Sequence, residues 1–197
     1  MSSSLMLNLN TYNPRRNLPA ETANKRAEAN FVGAFQRRYI EDMNAQGIGA
    51  RHFAISGYGI ADFVWLDNPC DRNKSCRPLS QEGIRKQLLK TAMTAFEMKL
   101  TDWKKAVQQA YRYSYFADTS IVVLPTDRET AVLPQIKLFK QMNIGLWFFD
   151  KKNSDIMKAF TPLRNSPRNI LAKEKAVSLF TRKFYLRSLS KCKNSIL

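Results

Sequence analysis

Histidine is almost missing from this chain: His52 is the only one in 197 residues. A single imidazole excludes multi-histidine metal sites and argues against chemistry built on a histidine general base. Beside the strand-like Phe53 to Ile55, His52 reads as structural or exposed. Cysteine is scarce too, with three residues at scattered positions. An odd, dispersed set does not build a disulfide scaffold and fits a reducing compartment, the cytoplasm or the nucleoid or nucleus. Cys70 and Cys76 share a loop without the close spacing of a metal-binding pair, and a zinc site would have to draw on Cys192 and His52 as well. No apolar run approaches the roughly 20 residues that span a bilayer. Leu5-Met6-Leu7 has no basic flank before it and no long apolar region, so secretion is not expected and no membrane partner is. Acidic residues are in short supply: 16 Asp and Glu stand against 32 Lys and Arg, a formal net charge of +16. That imbalance makes a polyanion the expected partner, nucleic acid ahead of an acidic protein or an anionic membrane.

What is present suits one domain with a sizeable core, without internal repeats. Residues 1–20 are polar, rich in Asn and Ser, and read as a flexible N-terminal segment. Glu21 to about Gln46 has helical spacing in Ala27, Phe31, Phe35 and Ile40, with Gly47 and Gly49 read as its end. Ile60 to Leu66 is an apolar strand carrying one acid, Asp62, and Asp67-Asn68-Pro69 closes it. Asn68 to Gln81 is a polar, charged loop containing Arg72, Lys74 and Arg77, and Ser80 caps a short helix to Leu89. Thr126 to Met142 reads as a helix that Pro134 shortens or kinks, and Asn143 to Phe149 as a further strand. Residues 161–197 read as a basic C-terminal helical extension, with Val177, Phe180 and Phe184 on one side of a helix over Lys173 to Leu189.

The chemistry concentrates between Thr94 and Pro125, read as strand, helix, strand. Period-two alternation puts Phe96, Met98 and Leu100 on one side of the first strand and Ala95, Glu97 and Lys99 on the other. A carboxylate and an ammonium therefore leave the same face of an apolar strand. On a solvated edge such a pair is worth little. On a buried face each charge would cost several kcal/mol unless partnered or used. Thr101 or Asp102 then caps a helix with Gln109-Ala110 and the aromatics Tyr111, Tyr113 and Tyr115. Ile121 to Leu124, ended by Pro125, is a buried-strand run.

Asp62 in one strand, Glu97-x-Lys99 in the next, a helix with Gln109 and then an apolar strand: this order resembles the PD-(D/E)XK nuclease superfamily. The resemblance covers Gly57 to Trp147, and Ala61 stands where the superfamily's name has a proline. It implies an α/β protein of restriction-endonuclease-like fold, a mixed β-sheet flanked by helices, over residues 21–160. It implies a Mg²⁺-dependent nuclease hydrolysing phosphodiester bonds in DNA, with Mn²⁺ substituting. Asp62, Glu97 and the backbone carbonyl of Met98 match the metal ligands, with Lys99 and Gln109 completing the catalytic set. Glu28 matches an additional acid on the first helix, with Glu21 and Glu41 as competitors. Arg72, Lys74, Arg77, Lys104 and Arg112 are the expected nucleic-acid contacts. One site per chain points to a homodimer or a larger DNA-processing complex where duplex is cut. The alternative is a non-catalytic DNA-binding or assembly subunit that retains the fold.

Overall fold

The structure, a computed structural model, describes residues 5–7, 23–44, 47–67 and 80–193, with side chains over 26–44, 47–67 and 80–182. Its strands are β1 (Leu5–Leu7), β2 (Gly47–Ile55), β3 (Gly59–Asp67), β4 (Met93–Met98), β5 (Thr119–Pro125), β6 (Gly145–Asp150) and β7 (Asp155–Phe160). They form one seven-stranded sheet in chain order. The β2–β3–β4 run is antiparallel, β4, β5 and β6 are parallel, β7 turns back antiparallel, and β1 lies parallel on the β2 edge. Leu5–Leu7, within the segment expected to be loose, thus joins the sheet.

Parallel neighbours need crossovers. Helix α3 (Trp103–Tyr113) links β4 to β5, and α4 (Glu129–Val132) and α5 (Ile136–Met142) link β5 to β6. Pro134 does break the helical pattern there: it lies in a 3-10 turn, Leu133–Gln135, between α4 and α5. Helix α1 (Ala23–Asp42) precedes β2, α2 (Gln81–Lys90) precedes β4, and α6 (Ile170–Lys193) follows β7. Local chemistry sets several ends. Ser80 Oγ accepts from Gly83 N at the start of α2, and Asp102 accepts from Lys105 N at the start of α3. Asn143, in the left-handed region at φ 51°, ends α5.

The sheet is covered on both faces. Phe31, Phe35 and Tyr39 of α1 pack on Phe63, Trp65, Phe96 and Phe149. Opposite, α6 and α2 cover Phe53 and Val64, while α3 and α5 cover Val122 and Phe148. Each fully buried ring contributes roughly 1.5–3 kcal/mol relative to exposure, so α1 is held by its aromatic stripe on the sheet. This is the mixed α/β sheet flanked by helices that the sequence led us to expect.

One boundary differs from expectation. Gly47 does not end α1 but opens β2 opposite Asp67. A Cβ at Gly47 would lie 2.2 Å from the Trp65 ring, so glycine makes room for the indole. The C-terminal helix packs on the sheet through the side expected of it: Val177 and Phe180 belong to the core cluster with Ala172 and Ala176. Lys173 is buried with them, its Nζ 2.8 Å from both carboxylate oxygens of Asp118 and 3.3 Å from Thr91 O. Phe184 lies outside the described side chains. Among the described residues no helix is long and apolar enough to cross a membrane.

Candidate active site

The β3–β4 ladder runs from Leu66 opposite Met93 to Phe63 opposite Phe96, and goes no further. The next free donor on β4, Met98 N, is taken by a side chain: it donates to Asp62 Oδ2 at 2.8 Å. Asp62 thus occupies the notch where the two strands part. Met98 and Phe96 face α1 while Ala95 lies in the opposite cluster, so alternation turns Glu97 toward α3. There it is 1 % exposed.

Three oxygens gather around one ammonium. Lys99 Nζ lies 2.9 Å from Glu97 Oε1, 3.3 Å from Met98 O and 3.8 Å from Glu28 Oε1. The Glu97 contact is a close ion pair within hydrogen-bond reach, on a carboxylate oxygen that is itself buried. The other oxygen, Oε2, is 2.6 Å from the hydroxyl of Tyr113, which is also 2.7 Å from Ile60 O. A phenol carries one proton to donate. Its proton is therefore shared between Glu97 Oε2 and the Ile60 carbonyl, both of which accept from it.

Burial, then the neighbouring Asp62 charge, pushes the Glu97 carboxyl up to about 7, against the opposing pull of Lys99 and the Tyr113 hydrogen bond. Burial also raises Asp62, with Lys99 and the Met98 N–H acting the other way. For Lys99 burial favours the neutral amine, but Glu97 and Asp62 outweigh it and hold the ammonium above the ordinary lysine range. Two neighbouring carboxylates in a poorly solvated notch resist joint ionisation, and the Lys99 ammonium offsets part of that resistance.

The structure therefore brings together Asp62, Glu97, Lys99, the Met98 carbonyl and Glu28. Glu41 sits elsewhere, paired with Arg38 at 4.0 Å, and Glu21 lies outside the described residues. Gln109 is half-buried on α3, its Oε1 enclosed and without a hydrogen-bond partner among the described residues. It lies one turn before Tyr113 and so shares that helix face. Lys104 and Arg112 are exposed near the two ends of α3, where the structure does not gather them into one patch with the carboxylates. Arg72, Lys74 and Arg77 lie outside the described residues.

One participant was not singled out from the sequence. Tyr113 was one of three tyrosines on the helix; its signal is the four-residue spacing from Gln109, which turns it inward. His52 is exposed, as its sequence reading allowed. The pairs Arg51 with Phe63 and Phe53 with Ala61 bracket it opposite Asp62, and its backbone is left-handed at φ 46°. Arg51 and His52 are consecutively exposed before Phe53 turns inward, so the pleat reverses beside Asp62. Such reversals re-aim side chains at functional edges.

The oxygen set suits a hard divalent cation such as Mg²⁺ or Mn²⁺ rather than zinc. Among the described residues no group of three or more His, Cys, Asp or Glu is assembled for a metal; here the donors are two carboxylates and a main-chain carbonyl. Glu97 Oε1, a buried carboxylate oxygen already facing a cation in the Lys99 ammonium, is the atom that fits such a role.

No protein-family model and no curated protein sequence matches the chain. Among solved structures, it is similar to the SPO1766 protein of unknown function from Silicibacter pomeroyi. The TM-score is 0.45 at 13% identity, over 82% of this chain and 86% of that one.

Proposed function

We propose that this chain is a metal-dependent nuclease hydrolysing phosphodiester bonds in DNA, on a sheet of restriction-endonuclease-like type. One observation carries the reading: Asp62, distant in sequence, is brought beside Glu97 and Lys99 where β3 and β4 part, with the carboxylates of Glu97 and Glu28 drawn up around the Lys99 ammonium. The net charge of +16 supports a polyanionic substrate.

Asp62, Glu97 and the Met98 carbonyl would hold Mg²⁺ or Mn²⁺. Bound there, the ion supplies charge neutralisation at the phosphate and activation of the attacking water. The chain's own groups do the positioning. Asp62 is fixed by the Met98 N–H, and Tyr113 fixes Glu97. Lys99 offsets charge at the phosphate and orients the nucleophile. Gln109, one turn before Tyr113 on the same face of α3, adds a polar side chain to this set. Lys104 and Arg112 add positive charge along α3.

A second reading, a DNA-binding or assembly subunit without turnover, draws on the same contacts, because the Lys99 ammonium already occupies the oxygen set. Cleavage of single-stranded, duplex and branched DNA in Mg²⁺ or Mn²⁺, with Asp62→Asn run alongside, separates the two. Cleavage by the native protein and none by the variant, with DNA retention preserved, is the expected result. Retention of DNA without cleavage of any substrate would favour the subunit.

A further inference from the structure

Three tyrosines and an arginine form a stack that the site above does not use. Tyr58, in the β2–β3 turn, stacks on Tyr115 with centroids 5.4 Å apart and planes at 26°. Tyr115 meets Tyr111 edge-on at 6.2 Å. The guanidinium of Arg168 lies 4.5 Å over the Tyr111 ring and 6.0 Å from that of Tyr115. Tyr111 and Tyr115 share one side at the C-terminal end of α3, two positions to either side of Tyr113, which points inward.

The stack is built in place. Arg168 Nη1 donates to the Tyr111 hydroxyl at 2.7 Å, and Asn169 Nδ2 to the Tyr58 hydroxyl at 2.9 Å. The backbone N–H groups of Arg168 and Asn169 donate to Ser114 O and Tyr115 O, each at 3.0 Å. Its surface remains open: Arg168 is exposed and the three tyrosines are only half-buried. It is also near the carboxylates, since Tyr58 is two residues from Ile60, whose carbonyl meets the hydroxyl that touches Glu97.

Planar rings ending in a planar cation offer what an unpaired base needs: a π-face to stack on and a positive charge for the backbone beside it. Paired bases in a duplex have no free face to offer. We propose that Tyr58, Tyr111, Tyr115 and Arg168 are a stacking platform for single-stranded DNA, which delivers an unpaired strand to Asp62 and Glu97. The delivery role rests on the nuclease reading; binding to the platform does not.

The test is binding of a short fluorescent oligothymidylate and of a duplex to the full chain in EDTA, by anisotropy, for native protein, Tyr58→Leu, Tyr58→Phe and Arg168→Lys. Arg168→Lys keeps the charge and removes the plane. The expected result is a roughly tenfold loss of single-strand affinity in Tyr58→Leu and Arg168→Lys. Tyr58→Phe, which keeps the ring, retains affinity, and duplex affinity is unchanged throughout. Unchanged single-strand binding, or equal losses on both forms, overturns the platform. Should Tyr58→Leu fail to fold, Arg168→Lys decides alone. Metal-dependent cleavage with no platform effect leaves the nuclease standing without the platform, and a platform effect without cleavage leaves the reverse.

Discussion

Replacing Glu97 by Gln should flatten the pH dependence of folding stability in metal-free protein. The carboxyl titrates near 7 in the fold against an ordinary value of 4.5. At about 1.36 kcal/mol per decade of affinity, the folded chain holds that proton more tightly by roughly 3 kcal/mol. The sign follows from the direction of the shift. A raised carboxyl stabilises the fold fully below about pH 4.5, and the contribution is lost as pH rises through about 7. The amide in the Glu97→Gln variant has the shape of the protonated acid and no proton to lose. Urea unfolding in EDTA at pH 5 and pH 8.5 reads the difference: with a slope of roughly 3 kcal/mol per molar, the native midpoint should fall about 1 M further than the variant's. Mg²⁺ at the higher pH should restore part of the native loss and none of the variant's. Midpoints that shift in parallel between the two pH values would falsify the account of Glu97 as a buried acid held protonated by its surroundings.

Lys99→Ala removes the ammonium that now sits among the Glu97, Met98 and Glu28 oxygens. Calorimetric titration with Mn²⁺ should show tighter binding than in native protein, while cleavage is lost; weaker binding would mean that Lys99 is not a competing cation. Asp118→Asn leaves Lys173 buried without its charge partner and should cost roughly 3–5 kcal/mol in chemical denaturation. The double variant Asp118→Asn, Lys173→Met should recover much of that loss, and a double variant no better than the single would place the cost elsewhere.

The elements nearest the site were legible because their signals are local. Alternation in Ala95 to Lys99 placed Glu97 and Lys99 on one side, and Asp102 capped α3 as its side chain allows. The Asp62, Glu97 and Lys99 convergence was readable only as an order of residue types along the chain. What was not legible depended on distance. Gly47 looked like a helix terminator until the Trp65 ring arrived from β3 to claim its space. Lys173 was marked only as the start of a helix, and only the fold brings Asp118 to it. β7 carries little alternation and is half-exposed along its length, so neither periodicity nor hydrophobicity marked it. His52 is exposed as its sequence reading allowed, but its left-handed backbone opposite Asp62 has no trace in composition.

The buried Asp118–Lys173 pair has a consequence for how this protein can change. It braces the start of β4, where Asp118 accepts from Met93 N, while Glu97 and Lys99 lie at that strand's other tip. One short strand thus joins two charge clusters: a closed pair that anchors its start and the Glu97–Lys99 set at its tip. The contacts that anchor the start involve none of the side chains at the tip, so the two ends of β4 are free to vary separately.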